Sequence, residues 1–532
     1  MPITRRQLAQ LIGMGAVGAA VAKAPSAFAQ DGATLRIAMN TSDIQTLDPH
    51  FSSGTQDRAT IDMIFNGLVR FKPGMSDEFE ADLAEEIPEG VDNEDGSQTW
   101  TFKLKEGVMT HTAEGVESAE LTVDDLVFSF EKAANADTSA YAGNYVDWKF
   151  QAGEGDREFQ ITVPTPLSNA LFLPQVANYS GGYIIPKAAY ETIGADGFIT
   201  KPVGTGPFAF LAHNPQVSVE LVAHANFFRG APKLGGVNVV FQADSTAREL
   251  ALQTGDLDVI YGLGEAAWAQ RMDDMDGITT DIFGVGELLW LNFNIEHEIL
   301  KDVKVREAIV KAINRDNHVA LSGEPVAEKV FSVVPASLMP GGLTEEEAEE
   351  AGVNYQQDIE GAKALLAEAG YADGFELDLI TSEQTAYRTA YEVLQEELRQ
   401  IGITVNLEVV QHATMHELIR EDRNPITIYI AFRPSADTYL TQFWSSNGGV
   451  TNFSKFTVDT LRDQARAETD GDKQAELWRE ANIEILRNYA GYGITLTNLV
   501  YVRRDAVDYG HELKAVVQLY PGIDETTSIS EE

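Results

Sequence analysis

The stretch VLQEELRQIGITVNLEV, Val393 to Val409, changes period in its middle. Val393, Leu394, Leu398 and Ile401 recur at helical spacing, Gly402 stands in the stop position, and Ile403 to Val409 reads as a strand. A helix that runs straight into a strand is the building unit of an α/β layer. The same grammar recurs on both sides. Asp302 caps a segment whose apolar residues are Val305, Ala308, Ile309, Ala312 and Ile313, and Asp358 caps another with Ile359, Ala362, Leu365, Leu366 and Ala369 before Gly370. Towards the N-terminus, Thr34 to Asn40 alternates as a strand and the Asp95-Gly96 turn introduces a second one, Trp100 to Leu104. Thr122, with Asp125 three positions on, opens a helix that buries Leu126, Val127 and Phe130. The predicted class is α/β. No fixed-period repeat and no long Gly/Ser- or Pro-rich linker occurs, so the domains are expected to be tightly joined.

The 532 residues carry 82 Asp+Glu against 39 Lys+Arg, a formal charge of −43, and no cysteine. Such a chain repels phosphate backbones and anionic headgroups, which argues against nucleic acid or membrane surfaces as partners. Zero cysteine excludes disulfides, thiolate chemistry, cysteine-ligated metals and a lipid-modified cysteine. With 44% hydrophobic residues, a large core is available.

Residues 1–29 hold Arg5, Arg6 and Lys23 but no acid, and Leu11 to Ala22 is an uncharged apolar run too short to span a bilayer. This reads as a signal peptide, with Ala27-Phe28-Ala29 placing cleavage before Gln30. TRRQLAQ (Thr4 to Gln10) resembles the twin-arginine export motif, a general secretory signal being the alternative. The expectation is a diffusing protein of the periplasm, without membrane insertion.

Catalytic motifs are absent: no nucleophile elbow, P-loop or HExxH helix. Gly262-Leu263-Gly264 follows the apolar run Leu257 to Tyr261, but the segment towards Asp281 is too short and polar for a dinucleotide unit, and a tight turn after a strand is the simpler reading. His412 and His416 lie four apart in an expected helix and, with Glu417, form a candidate metal pair; an amphipathic surface helix accounts for them more simply. No cofactor and no metal is expected.

Nine strings in order resemble the large periplasmic solute-binding proteins of peptide-type ABC importers, family 5, which includes oligopeptide-, dipeptide-, nickel- and opine-binding proteins. They are LDPH (Leu47 to His50), FNGLVRF (Phe65 to Phe71), the block Ala84 to Val108 with TWTFKLKEGV, LTVDDLVFSFEKA (Leu121 to Ala133), VGTGPF (Val203 to Phe208), LALQTGDLDVI (Leu250 to Ile260), LNFN (Leu291 to Asn294), VKVREAIVKAINRD (Val303 to Asp316) and AKALLAEAGYADGF (Ala362 to Phe375). The resemblance implies a two-lobed periplasmic binding protein fold of type II, cluster C, with an extra inserted subdomain and a hinge. Lobe I would be residues 31–73, 203–286 and 497–532, the insertion 74–202, and lobe II 287–496. The chain would cross between lobes near Glu287 and Asn498, Gly284 and Gly286 giving the first crossing its backbone freedom.

In the family, a lobe II aspartate anchors the α-amine of bound peptides. Aligned from Tyr439-Leu440, that position falls on Phe432, with Arg433 beside it; Asp437 substitutes only if the loop shifts. An arginine suits a ligand carboxylate through two parallel hydrogen bonds, so a ligand with an anionic end is expected. The candidate ligand-binding residues are Thr46, Trp290, Phe432, Arg433, Asp437 and Trp444. The implied function is reversible capture of a peptide or peptide-like solute by a monomer that delivers it to permease subunits, with no enzymatic step. An exported hydrolase using a carboxylate pair, or a metal or metallophore carrier, is the alternative.

Overall fold

The computed structural model describes residues 32–52, 54–446, 448 and 456–530; the signal segment and its cleavage position lie outside them. A nine-stranded mixed sheet runs through the molecule in the order Ile426–Ala431, Ile278–Phe293, Gly491–Arg504, Val259–Tyr261, Thr34–Met39, Gly236–Phe241, Ser218–Ala223 and Phe208–Asn214, with Ala327–Lys329 also pairing with Gly491–Arg504. Thr34–Met39 lies parallel to both its neighbours, and its alternate residues Leu35, Ile37 and Met39 are buried. The expected strand at its other landmark is Gln98–Lys103, where Trp100 and Phe102 point inward and Thr101 and Lys103 outward. The stretch that fixes the fold class forms the helix Thr385–Arg399 and the strand Ile403–Val410, which pairs in parallel with Phe375–Ser382.

Capping follows the sequence. Asp302 accepts from Lys304 N (2.9 Å), Asp358 from Gly361 N (2.9 Å), and Asp125 reaches back to the backbone N–H of Thr122 (2.8 Å). The helix after Asp302 is Val303–Ala312, so Ile313 is buried just beyond its end rather than within it.

The apolar side chains gather in separate clusters. One collects Leu35, Phe65, Phe208, Val239, Phe283 and Tyr520, from the two ends and the early middle of the chain. A second, around Trp100, Phe102, Phe130 and Phe172, belongs to a four-stranded antiparallel unit and its helices, and takes in Leu68, Val69 and Phe71 as well. Tyr183, Ile185 and Phe198, by contrast, pack with the first cluster. Two further clusters, around Leu394 and Trp290, fill the half built from residues after Val285.

Among the described residues, two long strands carry the chain between the halves. Ile278–Phe293 and Gly491–Arg504 run antiparallel, with a register shift between Phe283 and Glu287. At that irregularity a Cβ on Gly286 would lie 1.7 Å from Thr497 O, so the two backbones touch there and only glycine fits.

Candidate functional site

A cavity of about 410 Å³ opens beside this double crossing. Its wall takes Val285 and Glu287 from the first strand and Thr497 to Val500 from the second, which puts it on the hinge axis. The helix Thr55–Ile64 contributes Arg58, the antiparallel unit contributes Tyr179, and the loop after Ile426–Ala431 contributes Phe432 and Arg433. Gly262 and Gly264, the glycines after strand Val259–Tyr261, also line it. Every part of the fold therefore contributes to one chamber, of the size range typical of small-molecule pockets.

Three charges face this chamber. Arg433 donates through Nε to Gln442 Oε1 and through Nη1 to Phe432 O (2.7 Å), and its guanidinium lies 5.3 Å from the Phe443 ring centroid. Its Nη2 has no hydrogen-bond partner among the described residues. Burial pushes the pKa of Arg433 down from its ordinary value, so an anion beside it is favoured. Arg58 lies 5.2 Å from the Tyr179 ring centroid and makes no ion pair among the described residues. Glu287 is exposed on the chamber wall, and desolvation by the protein around it raises its carboxyl above the usual range.

A second, wider groove of about 770 Å³ lies between the antiparallel unit and the later half, with Trp148 and Gln175 on one side and Asp437, Thr441 and Gln442 on the other. Gln442 lines this groove while bonded to Arg433, so the Arg433–Gln442 pair stands between the two spaces.

Residues 78–451 match the family of bacterial extracellular solute-binding proteins, family 5 Middle. The chain belongs to that family. Among solved structures, the solute-binding protein MoaA from A. tumefaciens R10, in complex with mannopinic acid, is 35% identical with a TM-score of 0.76, covering 94% of this chain and 100% of that one. Heme-binding protein A of Haemophilus influenzae is 25% identical over 82% of each chain. The dipeptide-binding protein of Escherichia coli K12 is 24% identical over 81% of this chain and 83% of its own. The two-lobed hinge fold and the role of substrate-binding subunit of an ABC importer follow for this solute-binding protein.

Within the solute-binding protein, the residues singled out in the sequence fall in different places. Phe432 and Arg433 line the hinge chamber. Trp290 and Trp444 are instead fully buried in the aromatic core of the later half, Trp290 stacking on Tyr429 (5.5 Å, 23°) and meeting Phe443 edge-on (4.8 Å, 87°). The physical reason is that the strand around Trp290 is covered on both faces, from Leu288 to Phe293. Asp437 sits on the wider groove rather than the hinge chamber, with both oxygens bonded to Arg466 (2.6 and 2.8 Å). Thr46 lies in a turn, where its hydroxyl accepts from Asp48 N (3.0 Å), away from the chamber.

His412 and His416 meet Nε2 to Nε2 at 3.2 Å, and their Nδ1 atoms bond Ser382 Oγ (3.1 Å) and Tyr429 Oη (3.2 Å). Among the described residues no group of three metal-capable side chains occurs, and Glu417 is exposed. Burial and the neighbouring His412, Arg420 and Arg433 charges push the His416 pKa down to about 4.

The sequence reading missed Arg58, Tyr179 and Glu287 as wall residues. For Glu287 a signal existed: it is the one charge in the run Ile282 to Phe293.

The halves also touch across the groove. Ser168 Oγ, on the antiparallel unit, donates to Gln474 Oε1 (2.8 Å) of the later half, both residues being buried. Ser168→Ala removes this contact and is expected to weaken ligand affinity about 5-fold, the worth of one net hydrogen bond, by favouring the open form. Isothermal titration checks it, and unchanged affinity would show that the contact does not distinguish open from closed.

Proposed function

We propose that this solute-binding protein is exported, matures by cleavage before Gln30 and works in the periplasm as a monomer that captures an amino-acid-derived acid, peptide-like or opine-like, for its permease. The observation that carries the ligand class is the pairing of Arg433, with its free Nη2, and the unpaired Arg58 on the wall of one hinge chamber. In a chain of net charge −43, a chamber that presents unpaired guanidinium groups is specialised for anions. The similarity to a structure holding mannopinic acid, at 35% identity, supports the same reading. The twin-arginine-like TRRQLAQ segment supports export in the folded state.

In this reading lobe I is 31–73, 203–286 and 497–532, the insertion is 74–202 and lobe II is 287–496. The packing clusters support that division with two adjustments: Leu68, Val69 and Phe71 side with the insertion, and Tyr183, Ile185, Ala189 and Phe198 with lobe I. Ligand contacts to both lobes would supply the differential affinity that closes the cleft, with no covalent step. A hydrolase would need two carboxylates in position, and among the described residues lining the chamber Glu287 is the only acid.

The test is mass spectrometry of copurified solutes, followed by thermal-shift screening of opines, peptides and small oligosaccharides. Arg433→Ala should lower the affinity for acids such as mannopinic acid about 10- to 100-fold, as loss of a charge-assisted hydrogen-bond pair does. An unchanged dissociation constant would refute the anionic-end assignment.

A further inference from the structure

Glu287 has no ion pair and accepts no hydrogen bond from any described side chain. Its strand sits between two others at the crossing: Glu287 pairs with Thr497 on one side, and on the other Leu288 pairs with Ala431, so Glu287 and Phe432 stand together at the open end of that ladder. Tyr387 and Tyr439 are near enough to feel its charge, but their hydroxyls are committed to Ile430 O (3.1 Å) and Ala431 O (3.3 Å). The carboxylate is exposed on the chamber wall and has no protein partner, so it is free to take a cation that enters the chamber. Arg433 and Arg58 line the same chamber, and neither of them is paired with Glu287.

Accepting the reading that Arg433 holds an anionic end, on which this step rests, we infer that Glu287 binds a cationic nitrogen of the same ligand, so that the protein selects zwitterions carrying a free ammonium as well as a carboxylate. The chamber then holds one negative and two positive protein charges against one ammonium and the acid groups of the ligand, and closure buries matched pairs rather than lone charges. A ligand acid whose nitrogen is acylated would leave Glu287 desolvated and unpaired, which is a penalty against that ligand rather than a mere loss of contact. Selection thus comes from the crossing strand itself, where Glu287 pairs with Thr497.

The experiment is isothermal titration of the mature protein with mannopinic acid and the dipeptide Met-Leu, each beside its N-acetylated form, for the wild type, Glu287→Gln and Arg433→Ala. The expected result is that wild type binds at least one free amine, prefers it to the N-acetylated form by at least 10-fold, and loses most of that preference in Glu287→Gln, with N-acetylated binding unchanged or tightened. Equal binding of free and acylated forms by wild type, an unchanged preference in Glu287→Gln, or no binding of either amine overturns the assignment of Glu287. The two ideas fail separately: if Arg433→Ala weakens the acylated acids while Glu287→Gln changes nothing, the anion site stands and the ammonium site falls; if Arg433→Ala leaves every probe unaffected, the anion site itself falls. A melting temperature for Glu287→Gln at or above that of wild type is expected, because an unpaired charge is removed, and it separates lost recognition from lost folding.

Discussion

Asp48→Ala is expected to destabilise the protein by about 3–5 kcal/mol, the cost of leaving one partner of a buried ion pair behind. Asp48 and Lys132 are both 3% exposed in their side chains, and the ammonium bonds Oδ1 at 3.0 Å, Oδ2 at 2.9 Å and Thr138 O at 3.0 Å. The Phe51 and Tyr190 rings stand over the same nitrogen, each 5.3 Å away. The pair joins the N-terminal segment to the helix Val123–Ala134, 84 residues later, so it fastens the antiparallel unit to the rest of the first half. His50 beside it stays neutral, because burial and the Lys132 charge push its pKa down to about 3 against the opposing effect of the hydrogen bond between its Nε2 and Tyr183 O (3.0 Å). Without Asp48 the lysine keeps one carbonyl and two ring faces in a site whose burial already lowers its pKa. The double variant Asp48→Ala/Lys132→Met should recover at least about 2 kcal/mol relative to Asp48→Ala alone, since no charge is then stranded. Urea midpoints read both, with proteolysis in the 74–202 region as the local reporter. A loss below about 1 kcal/mol in the single variant would mean that water reaches the lysine.

This pair also marks where sequence reading stops. LDPH and the helix containing Lys132 were both visible as separate strings, because local period and capping are written in neighbouring residues. That Asp48 meets Lys132 depends on a chain path no local pattern encodes. The α/β units around Gly370 and Gly402 were legible for the first reason, and the hinge chamber was not for the second. Arg433 was reachable through its place in a recognised segment, whereas Arg58 becomes a wall residue only when the helix Thr55–Ile64 is set against the crossing strands. Trp290 illustrates a different limit. Its strand is buried on both faces, so alternation cannot say which residue faces a cleft, and the one informative deviation in that run was the charge at Glu287.

Gly286→Ala is expected to cost at least about 3 kcal/mol, the upper end of what overpacking does in a core. The added Cβ would lie 1.7 Å from Thr497 O and 2.4 Å from Thr497 C, and these are backbone atoms of the other crossing strand, which cannot swing aside as a side chain does. Relief requires the strands to part where Glu287 pairs with Thr497, and that pairing sets both the hinge and the place of Glu287 on the chamber wall. Stability and recognition should therefore fall together, with the melting midpoint lowered by several degrees and the affinity for mannopinic acid or Met-Leu reduced more than 10-fold. Gly264→Ala is the control: it lines the same chamber, but its Cβ would meet only Thr497 Cγ2, at 4.0 Å, an ordinary contact. If the two alanine variants melt and bind alike, the close approach of the crossing backbones is not what fixes the hinge. If Gly286→Ala alone is impaired, the backbone geometry that brings the lobes together and the geometry that aims Glu287 are one and the same constraint, so displacing this strand alters selection and closure together.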